Sequence, residues 1–113
     1  MISELKTRER DILIYNTTYA VTEEDLACFL AWAQEKMIPA VHADGILTRG
    51  RLARILSHSD EEGGHSFSLQ FEVADSAALH KWFLRQGRQL QQEMQQIFGN
   101  RIVGFSTLME VME

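Results

Sequence analysis

Few side chains in this sequence have the types and spacing that chemistry requires. The histidines are His42, His58, His65 and His80. None of them forms an HxxxH or HExxH pair, and Cys28 is the one cysteine, so the sequence contains no zinc-binding pattern. We therefore predict no metal ligand and no cofactor.

One histidine stands beside a carboxylate. His42 precedes Asp44 by two positions at the predicted end of a helix. A carboxylate at that spacing can orient an imidazole for proton transfer, but the same pair also occurs as a polar cap of a helix end. The cap is the favoured interpretation. Cys28 has no His or Lys beside it in the sequence, so a structural thiol is favoured over a nucleophile.

Three arginines lie close together in the sequence. Alternation along a strand places Arg49 and Arg51 on one face and Arg54 on the other, so a regular strand does not gather them into one anion site. The candidate ligand-binding residues are therefore drawn from separate segments: Asn16, His42, Arg54 and Gln70. In this hypothesis the amides and the guanidinium orient a small organic molecule, and the imidazole moves a proton. No catalytic residue is otherwise defined.

These side chains must be positioned by periodic segments in the order strand, helix, strand, strand, helix, strand. Strands are predicted over 12–21, 46–56, 66–73 and 102–111. Gly50 marks a bulge or close approach in the second strand, and the polar connection 57–65 makes a hairpin. The order predicts an α+β protein with the ferredoxin-like βαββαβ fold, in which a four-stranded antiparallel sheet carries two helices on one face.

Both helices are predicted from apolar stripes and end signals. The first begins at Thr22, whose hydroxyl is predicted to cap it. Pro39 limits how far the regular helix continues, and one further turn is predicted after it. The second begins after Asp75 or Ser76, and Gly87 marks a bend. The stripes that face the sheet are Leu26, Phe29, Leu30, Ala33 and Met37, then Leu79, Phe83, Leu90, Met94 and Ile97. Trp32 and Trp82 flank the stripes as core or interface anchors.

The third strand alternates most clearly. Its apolar positions are Phe67, Leu69, Phe71 and Val73, and its polar positions are Ser66, Ser68, Gln70 and Glu72. The apolar set is predicted to face the helices, and Asn16 and Thr18 to join the polar face. Apolar area is expected on that face from Ile12, Ile14 and either Leu52 with Leu56 or Ala53 with Ile55. Because such a mixed face usually marks an interface, we predict a homodimer that pairs sheet to sheet around a central space lined by polar side chains.

Composition indicates an ordinary globular protein. The chain has 113 residues, of which 45% are hydrophobic and 24% charged, and a formal net charge of -5 at pH 7. This acidity disfavours a nucleic-acid partner, and no apolar run reaches the roughly 20 residues that span a bilayer. Residues 1–11 are predicted to be a flexible lead-in without a secretory signal, followed by a single domain over 12–113. The single cysteine agrees with a cytoplasmic location.

Several spaced features carry a resemblance to a known family. They are Tyr15-Asn16, Trp32, Ile38-Pro39, Gly45, Arg54, Phe71 and Phe98-Gly99. Over residues 12–113 the sequence resembles an uncharacterised family of short bacterial proteins in the dimeric α/β-barrel superfamily. The resemblance implies a ferredoxin-like protomer whose sheet pairs with a second sheet, and it brings no agreed activity. That family often has a histidine immediately before Ile38-Pro39, where this chain has Met37, so no catalytic role is carried over to this position.

Three classes of function remain. The preferred one is a noncatalytic homodimer with a small internal ligand pocket, acting as a sensor or a structural partner. The alternative is a cofactor-independent enzyme on a small apolar organic substrate, similar to monooxygenases and isomerases of the same superfamily. RNA binding is a remote alternative, because RNA-recognition motifs share the strand and helix order. Their paired aromatics stand at i and i+2 on an exposed face, whereas Phe67 and Phe71 stand at i and i+4 on the predicted core face.

Overall fold

The computed structural model describes residues 12–56 and 64–112. Within these residues the strands are β1 (Leu13–Thr22), β2 (Thr48–Arg54), β3 (Gly64–Val73) and β4 (Val103–Glu110). The α-helices are α1 (Leu26–Trp32), α2 (Ile38–His42), α3 (Ser76–Trp82) and α4 (Arg88–Phe98). The predicted lead-in 1–11 and most of the predicted connection 57–65, including His58, lie outside the described residues.

The strands form one antiparallel sheet in the order β2-β3-β1-β4. β1 is central, and its Tyr15 lies opposite Phe71 of β3 and Leu108 of β4. The buried residues of α1, α3 and α4 form one core with the same face of the sheet. The predicted element order and the placement of the helices on one face are confirmed.

Alternation along β1 and β3 decides which face of the sheet is covered. The four apolar residues of β3 are each at most 3% exposed, whereas the polar residues between them are half-buried. Phe29 of α1 lies at the centre of an aromatic cluster, with the rings of Tyr19, Phe67 and Phe98 between 5.3 and 6.3 Å from its own. Burial of a side chain of this size contributes roughly 1.5–3 kcal/mol, so each aromatic residue of this cluster stabilises the fold.

The helices cover β3 and β1 well, but they leave β4 uncovered. Every residue of β4 is exposed. On its helix side β4 presents Gly104 and Ser106, opposite Tyr19 and Thr17 of β1. Small side chains at these positions leave space between the edge of the sheet and α4.

Each helical region contains a π-helical segment, Ala33–Met37 in the first and Phe83–Gly87 in the second. In the first region, regular α-helix is lost before Pro39, and α2 then supplies the further turn that was predicted. The Ile38 N–H bonds to the carbonyl of Ala33, five residues back. The wider turn directly precedes Pro39, which has no N–H for a regular bond, and the chain stays helical through Pro39.

The predicted helix caps differ in outcome. Asp75 accepts a hydrogen bond from the Ala78 N–H at 2.8 Å, so this prediction is confirmed. Thr22 makes no side-chain cap bond, so that prediction is wrong. Thr22 is the last residue of β1, and a short 3-10 turn, Glu23–Asp25, leads from it into α1.

Asp25 of that turn is buried and forms an ion pair across the molecule. Its carboxylate accepts hydrogen bonds from Nε and Nη2 of Arg101, the closest at 3.0 Å. The hydrogen bond and then the charge of Asp25 raise the pKa of Arg101 above its ordinary value. The pair ties the start of the first helical region to the connection that leads into β4.

Two glycines allow close approaches, and the sequence indicated the one at Gly50. A Cβ at Gly50 would lie 2.6 Å from the ring of Phe71, and β2 shifts its register between Thr48 and Arg51, so the predicted bulge is confirmed. A Cβ at Gly87 would lie 2.7 Å from the ring of Trp82. Gly87 is the last residue of the second π-helical segment, and the absence of a side chain there lets the Trp82 ring pack against it.

Candidate functional site: the open face of the sheet

The open face is the side of the sheet that is turned away from the described helices. It consists of Ile14, Asn16, Thr18 and Ala20 of β1, Arg51 and Ala53 of β2, Ser66, Ser68, Gln70 and Glu72 of β3, and Val103, Phe105, Thr107 and Met109 of β4. Asn16 and Thr18 join the polar residues of β3, as predicted. Of the two alternatives for the second strand, Ala53 lies on this face, because Leu52 is opposite the buried Leu69.

A polar strip runs along the centre of the open face. The Asn16 Oδ1 accepts a hydrogen bond from the Ser68 hydroxyl, and its Nδ2 donates to the Thr18 hydroxyl at 3.2 Å. Gln70 lies directly opposite Asn16 on β3. Because Asn16, Thr18 and Ser68 are hydrogen-bonded to one another, a second surface can cover this part of the strip at a lower cost in unpaired polar groups.

An apolar patch lies beside this strip on β4. We call Val103, Phe105 and Met109 the β4 patch; they are 63%, 66% and 36% exposed. Sequence reasoning missed this patch because residues 102–111 contain apolar residues at both odd and even positions. The register with β1 decides the matter, since it places Ser106 opposite Thr17 on the covered face and therefore Phe105 on the open face.

A pocket of about 260 Å³ opens on the same face at the bulge of β2. It is lined by Ile14, Arg49, Gly50, Arg51, Gln70, Phe71 and Glu72. Arg49, which adopts a positive φ of 56°, pairs with Glu72 at 3.6 Å, a distance and exposure that make this ion pair weak. Arg51 lies opposite Gln70 and has no ion-pair partner among the described residues. A guanidinium and an amide in one pocket can bind a carboxylate or another polar group.

His42 lies at the other side of the bulge, behind Phe71. Its Nε2 accepts a hydrogen bond from the Gly50 N–H at 2.9 Å, and its ring meets the ring of Phe71 edge-on. Asp44 does not bond to His42; its carboxylate accepts from the Ile46 N–H at 3.0 Å and from Gln86 at 2.8 Å. His42 therefore binds a backbone group of β2, and Asp44 binds one in the connection that follows α2, so neither contact is a cap of the helix end itself.

Arg54 lies on the covered face, opposite Phe67. Its guanidinium stands 5.3 Å from the centre of the Phe67 ring and donates a hydrogen bond to Nδ1 of His65 at 2.8 Å. The other ring nitrogen of His65 lies 2.7 Å from Oε1 of Glu23. With Nδ1 accepting, the proton of a neutral His65 lies on Nε2 and is donated to the carboxylate. This chain of side chains joins β2, β3 and the start of the first helical region.

The four candidate ligand-binding residues are thus divided between two faces. Asn16 and Gln70 face each other on the open face, whereas Arg54 lies on the covered face and His42 lies against the bulge. Strand alternation is the reason, because even-numbered residues of β1 and β3 point to the open face while Arg54 of β2 is in register with Phe67. Their joint role in orienting a ligand stays a prediction.

Within residues 12–56 and 64–112, no three His, Cys, Asp or Glu side chains come together as metal ligands. No helix there has the length and apolar character that crossing a bilayer requires.

The comparisons with known proteins agree with this architecture. The sequence profile of a family described as a domain of unknown function, DUF4286, matches residues 12–112, so this chain belongs to that family. None of the curated proteins matches the sequence.

One solved structure is similar over most of its length. It is the crystal structure, at 1.85 Å resolution, of a dimeric ferredoxin-like protein from an uncultured marine organism, with 13% sequence identity and a TM-score of 0.58. The match covers 91% of this chain and 98% of that one. At this identity the likeness establishes the ferredoxin-like fold and nothing further.

Proposed function

We propose that this protein is a noncatalytic homodimer that pairs through the open face of its sheet and holds a small organic ligand between the two sheets, as a sensor or a structural partner. The composition of the open face carries the proposal: a polar strip, in which Asn16, Thr18 and Ser68 are hydrogen-bonded to one another, lies beside the exposed apolar β4 patch. The dimeric state of the ferredoxin-like neighbour supports the same assembly.

The energetics favour association through this face. Removing an apolar side chain of this size from water contributes roughly 1.5–3 kcal/mol. In a twofold-symmetric pair each residue of the β4 patch is buried twice, once in each protomer. The polar strip adds little to the affinity, but it does not oppose burial, because Asn16, Thr18 and Ser68 are already hydrogen-bonded to one another.

The ligand pocket proposed here is the one that Arg51 and Gln70 line. A second sheet placed over it would exclude water, and charge–charge attraction is stronger in such a site than in bulk solvent. A small organic acid therefore fits the pocket better than a neutral hydrocarbon. The enzyme hypothesis, with Asn16, His42, Arg54 and Gln70 acting together, gains no support from their division between two faces.

The assembly is tested by sedimentation with one variant on each face of the same strand. Phe105→Asp places a charge in the β4 patch, and Leu108→Asp places the same charge on the opposite side of β4, where Leu108 is also exposed. We expect the unaltered protein and Leu108→Asp to sediment with twice the 13.0 kDa mass of the protomer, and Phe105→Asp to sediment as a monomer.

A monomeric unaltered protein at about 10 μM, where specific dimers normally persist, would contradict the proposal. Dissociation by Leu108→Asp but not by Phe105→Asp would contradict it too, since it would place the interface on the helix side. Native mass spectrometry then tests the pocket: a bound organic acid should be released from the dimer when Arg51 is changed to Ala.

We also propose a cytoplasmic location. Cys28 is exposed on α1, and a free, exposed thiol is characteristic of proteins in a reducing compartment.

A further inference from the structure

A second cavity lies on the helix side of the sheet, between α4 and the strands β1 and β4. Its volume is about 250 Å³. Thr17, Gly104 and Ser106 form its floor on the sheet, and Trp82 and Met94 line it from the second helical region. The cavity exists because β4 has small residues where it faces α4. It is separate from the open face, because its floor is the opposite side of the sheet.

The lining of this cavity contains aromatic, aliphatic and uncharged polar residues, and no Asp, Glu, Lys, Arg or His. Tyr19, which also lines it, reports how strongly the surroundings disfavour charge. Burial, and then the neighbouring Tyr15, raise the pKa of Tyr19 to about 12, although the Thr17 hydroxyl opposes the shift. Beside the buried Tyr19, an ionised ligand would lose part of its hydration without gaining a counter-charge, so the cavity favours neutral molecules.

Three hydroxyl groups in the cavity form a chain. The Ser106 hydroxyl lies 3.1 Å from the Tyr15 hydroxyl and 2.9 Å from the Thr17 hydroxyl. Two hydrogen bonds use two of the three hydroxyl protons, so one O–H remains to donate to a further acceptor. The chain therefore offers a hydrogen-bond donor at the floor of a site whose other lining residues are apolar or, like Gln91 and Gln95, polar without charge.

The wall of the cavity has an unsatisfied donor as well. Trp82 is buried and lines the cavity, and its indole N–H has no hydrogen-bond partner among the described residues. A buried donor without an acceptor is costly, so the protein alone does not complete the bonding in this region. Apolar cavities of about 150 Å³ hold a benzene ring. At about 250 Å³, this cavity has room for one aromatic ring with a small substituent.

We infer that this cavity binds a neutral molecule about the size of one substituted aromatic ring, with one hydrogen-bond acceptor directed at the Tyr15–Ser106–Thr17 hydroxyl chain. The aromatic and aliphatic walls supply the apolar contact, and the free hydroxyl proton fixes the orientation of the ligand. The site does not need the proposed dimer, because every residue that forms it belongs to one protomer.

The probe that tests this site is acetophenone, a single ring with one carbonyl, and its charged counterpart of similar size is benzoate. Trp32 and Trp82, the two tryptophans of the chain, both line the cavity, so their indole N–H signals in an NMR titration report its occupancy. We expect acetophenone to shift them saturably with a Kd of about 1 mM or below, as a ligand of this size allows. Benzoate should bind at least roughly tenfold more weakly.

Two substitutions at Ser106 and one control locate the binding. Ser106→Ala removes the centre of the hydroxyl chain and should weaken acetophenone binding about fivefold. Ser106→Phe fills the cavity from an exposed strand position and should abolish saturable binding. Thr107→Ala, the next residue and on the open face, should leave the Kd within about twofold. Circular dichroism confirms that each variant is folded.

The inference is overturned if acetophenone causes no saturable shift, if benzoate binds equally well, or if Ser106→Phe binds acetophenone as the unaltered protein does. The monomeric Phe105→Asp variant should retain acetophenone binding, which separates this site from the proposed interface. Loss of binding in that folded monomer would instead place the site at the interface and overturn the inference.

Discussion

The two faces of this sheet use the same strands in opposite ways. On the covered face, the apolar residues of β3 pack against α1 and the second helical region and are almost fully buried. On the open face, the centre is polar and hydrogen-bonded, and the apolar side chains lie at the edge, on β4. The covered face therefore holds the protomer together, whereas the open face leaves apolar side chains exposed, which is the composition on which the proposed pairing depends.

The edge strand β4 is where the two roles meet. The helices do not reach over it, so its helix side, with Gly104 and Ser106, borders a cavity, and its other side presents the β4 patch. An edge strand with apolar side chains and unpaired backbone is a position at which proteins associate. Both proposals of function therefore depend on the same strand, but on opposite sides of it.

The sharpest test of this comparison replaces one phenylalanine on each face. Phe67→Ala should lower the free energy of unfolding by about 3–5 kcal/mol, because its buried ring packs against Phe29 and beneath Arg54. Phe105→Ala should change the stability of the protomer by less than about 1 kcal/mol, since its ring is mostly exposed. Denaturant unfolding of both variants measures the difference.

The measurement on Phe105→Ala must be made below the dissociation constant of any dimer, because association adds stability to the folded state. An equal loss of stability in both variants under that condition would mean that the open face contributes to the protomer core.

A second test uses pH and concerns the covered face. The pKa of Tyr19 is about 12 in the folded protein, against an ordinary value of 10.0. Between these values the unfolded chain ionises this phenol and the folded chain does not, so stability is lost as pH rises from about 10 to about 12. Two pKa units correspond to at most about 3 kcal/mol.

Tyr19→Phe removes this ionisation and is the matched control for all other groups that titrate at high pH. We expect the free energy of unfolding of the unaltered protein to fall more steeply than that of the variant over this pH range. Parallel curves would show that Tyr19 titrates as it does in water, and that the surroundings of the helix-side cavity admit charge.

The smallest expected effect concerns the polar strip of the open face. Ser68→Ala removes the hydrogen bond to Asn16 and should cost about 0.5–1.5 kcal/mol, and Asn16→Ala a similar amount. The double variant should lose less stability than the sum of the two single losses, because Asn16 and Ser68 share one hydrogen bond. If denaturant unfolding instead shows that the two losses add fully, Asn16 and Ser68 do not stabilise each other, and the polar strip is not a connected network.

Sequence reasoning predicted the element order, the covered face of β3, the Gly50 bulge and the Asp75 cap. Each of these depends on local chemistry: strand alternation, a missing side chain, or a carboxylate three residues before an N–H. It failed for Thr22, which has the extended backbone of a capping residue before the turn Glu23–Asp25 but makes no side-chain cap bond. It could not place the β4 patch, because the pattern of residues 102–111 fits either orientation until the register with β1 is known.

The candidate site shows the same limit. The sequence identified Asn16 and Gln70 as partners on one face, and the structure places them opposite each other. It gave no sign that Tyr15, Thr17 and Ser106 form a chain of hydroxyls, because Ser106 comes from a strand at the far end of the sequence.

The sequence by itself determined the fold class, since the periodicity of its apolar residues is compatible with strands and helices in one order only. The tertiary structure decided what each face of β4 presents and where the cavities lie. The physical reason is that side-chain direction within a strand follows from local alternation, whereas the pairing of distant strands and the reach of the helices over them depend on packing across the whole chain.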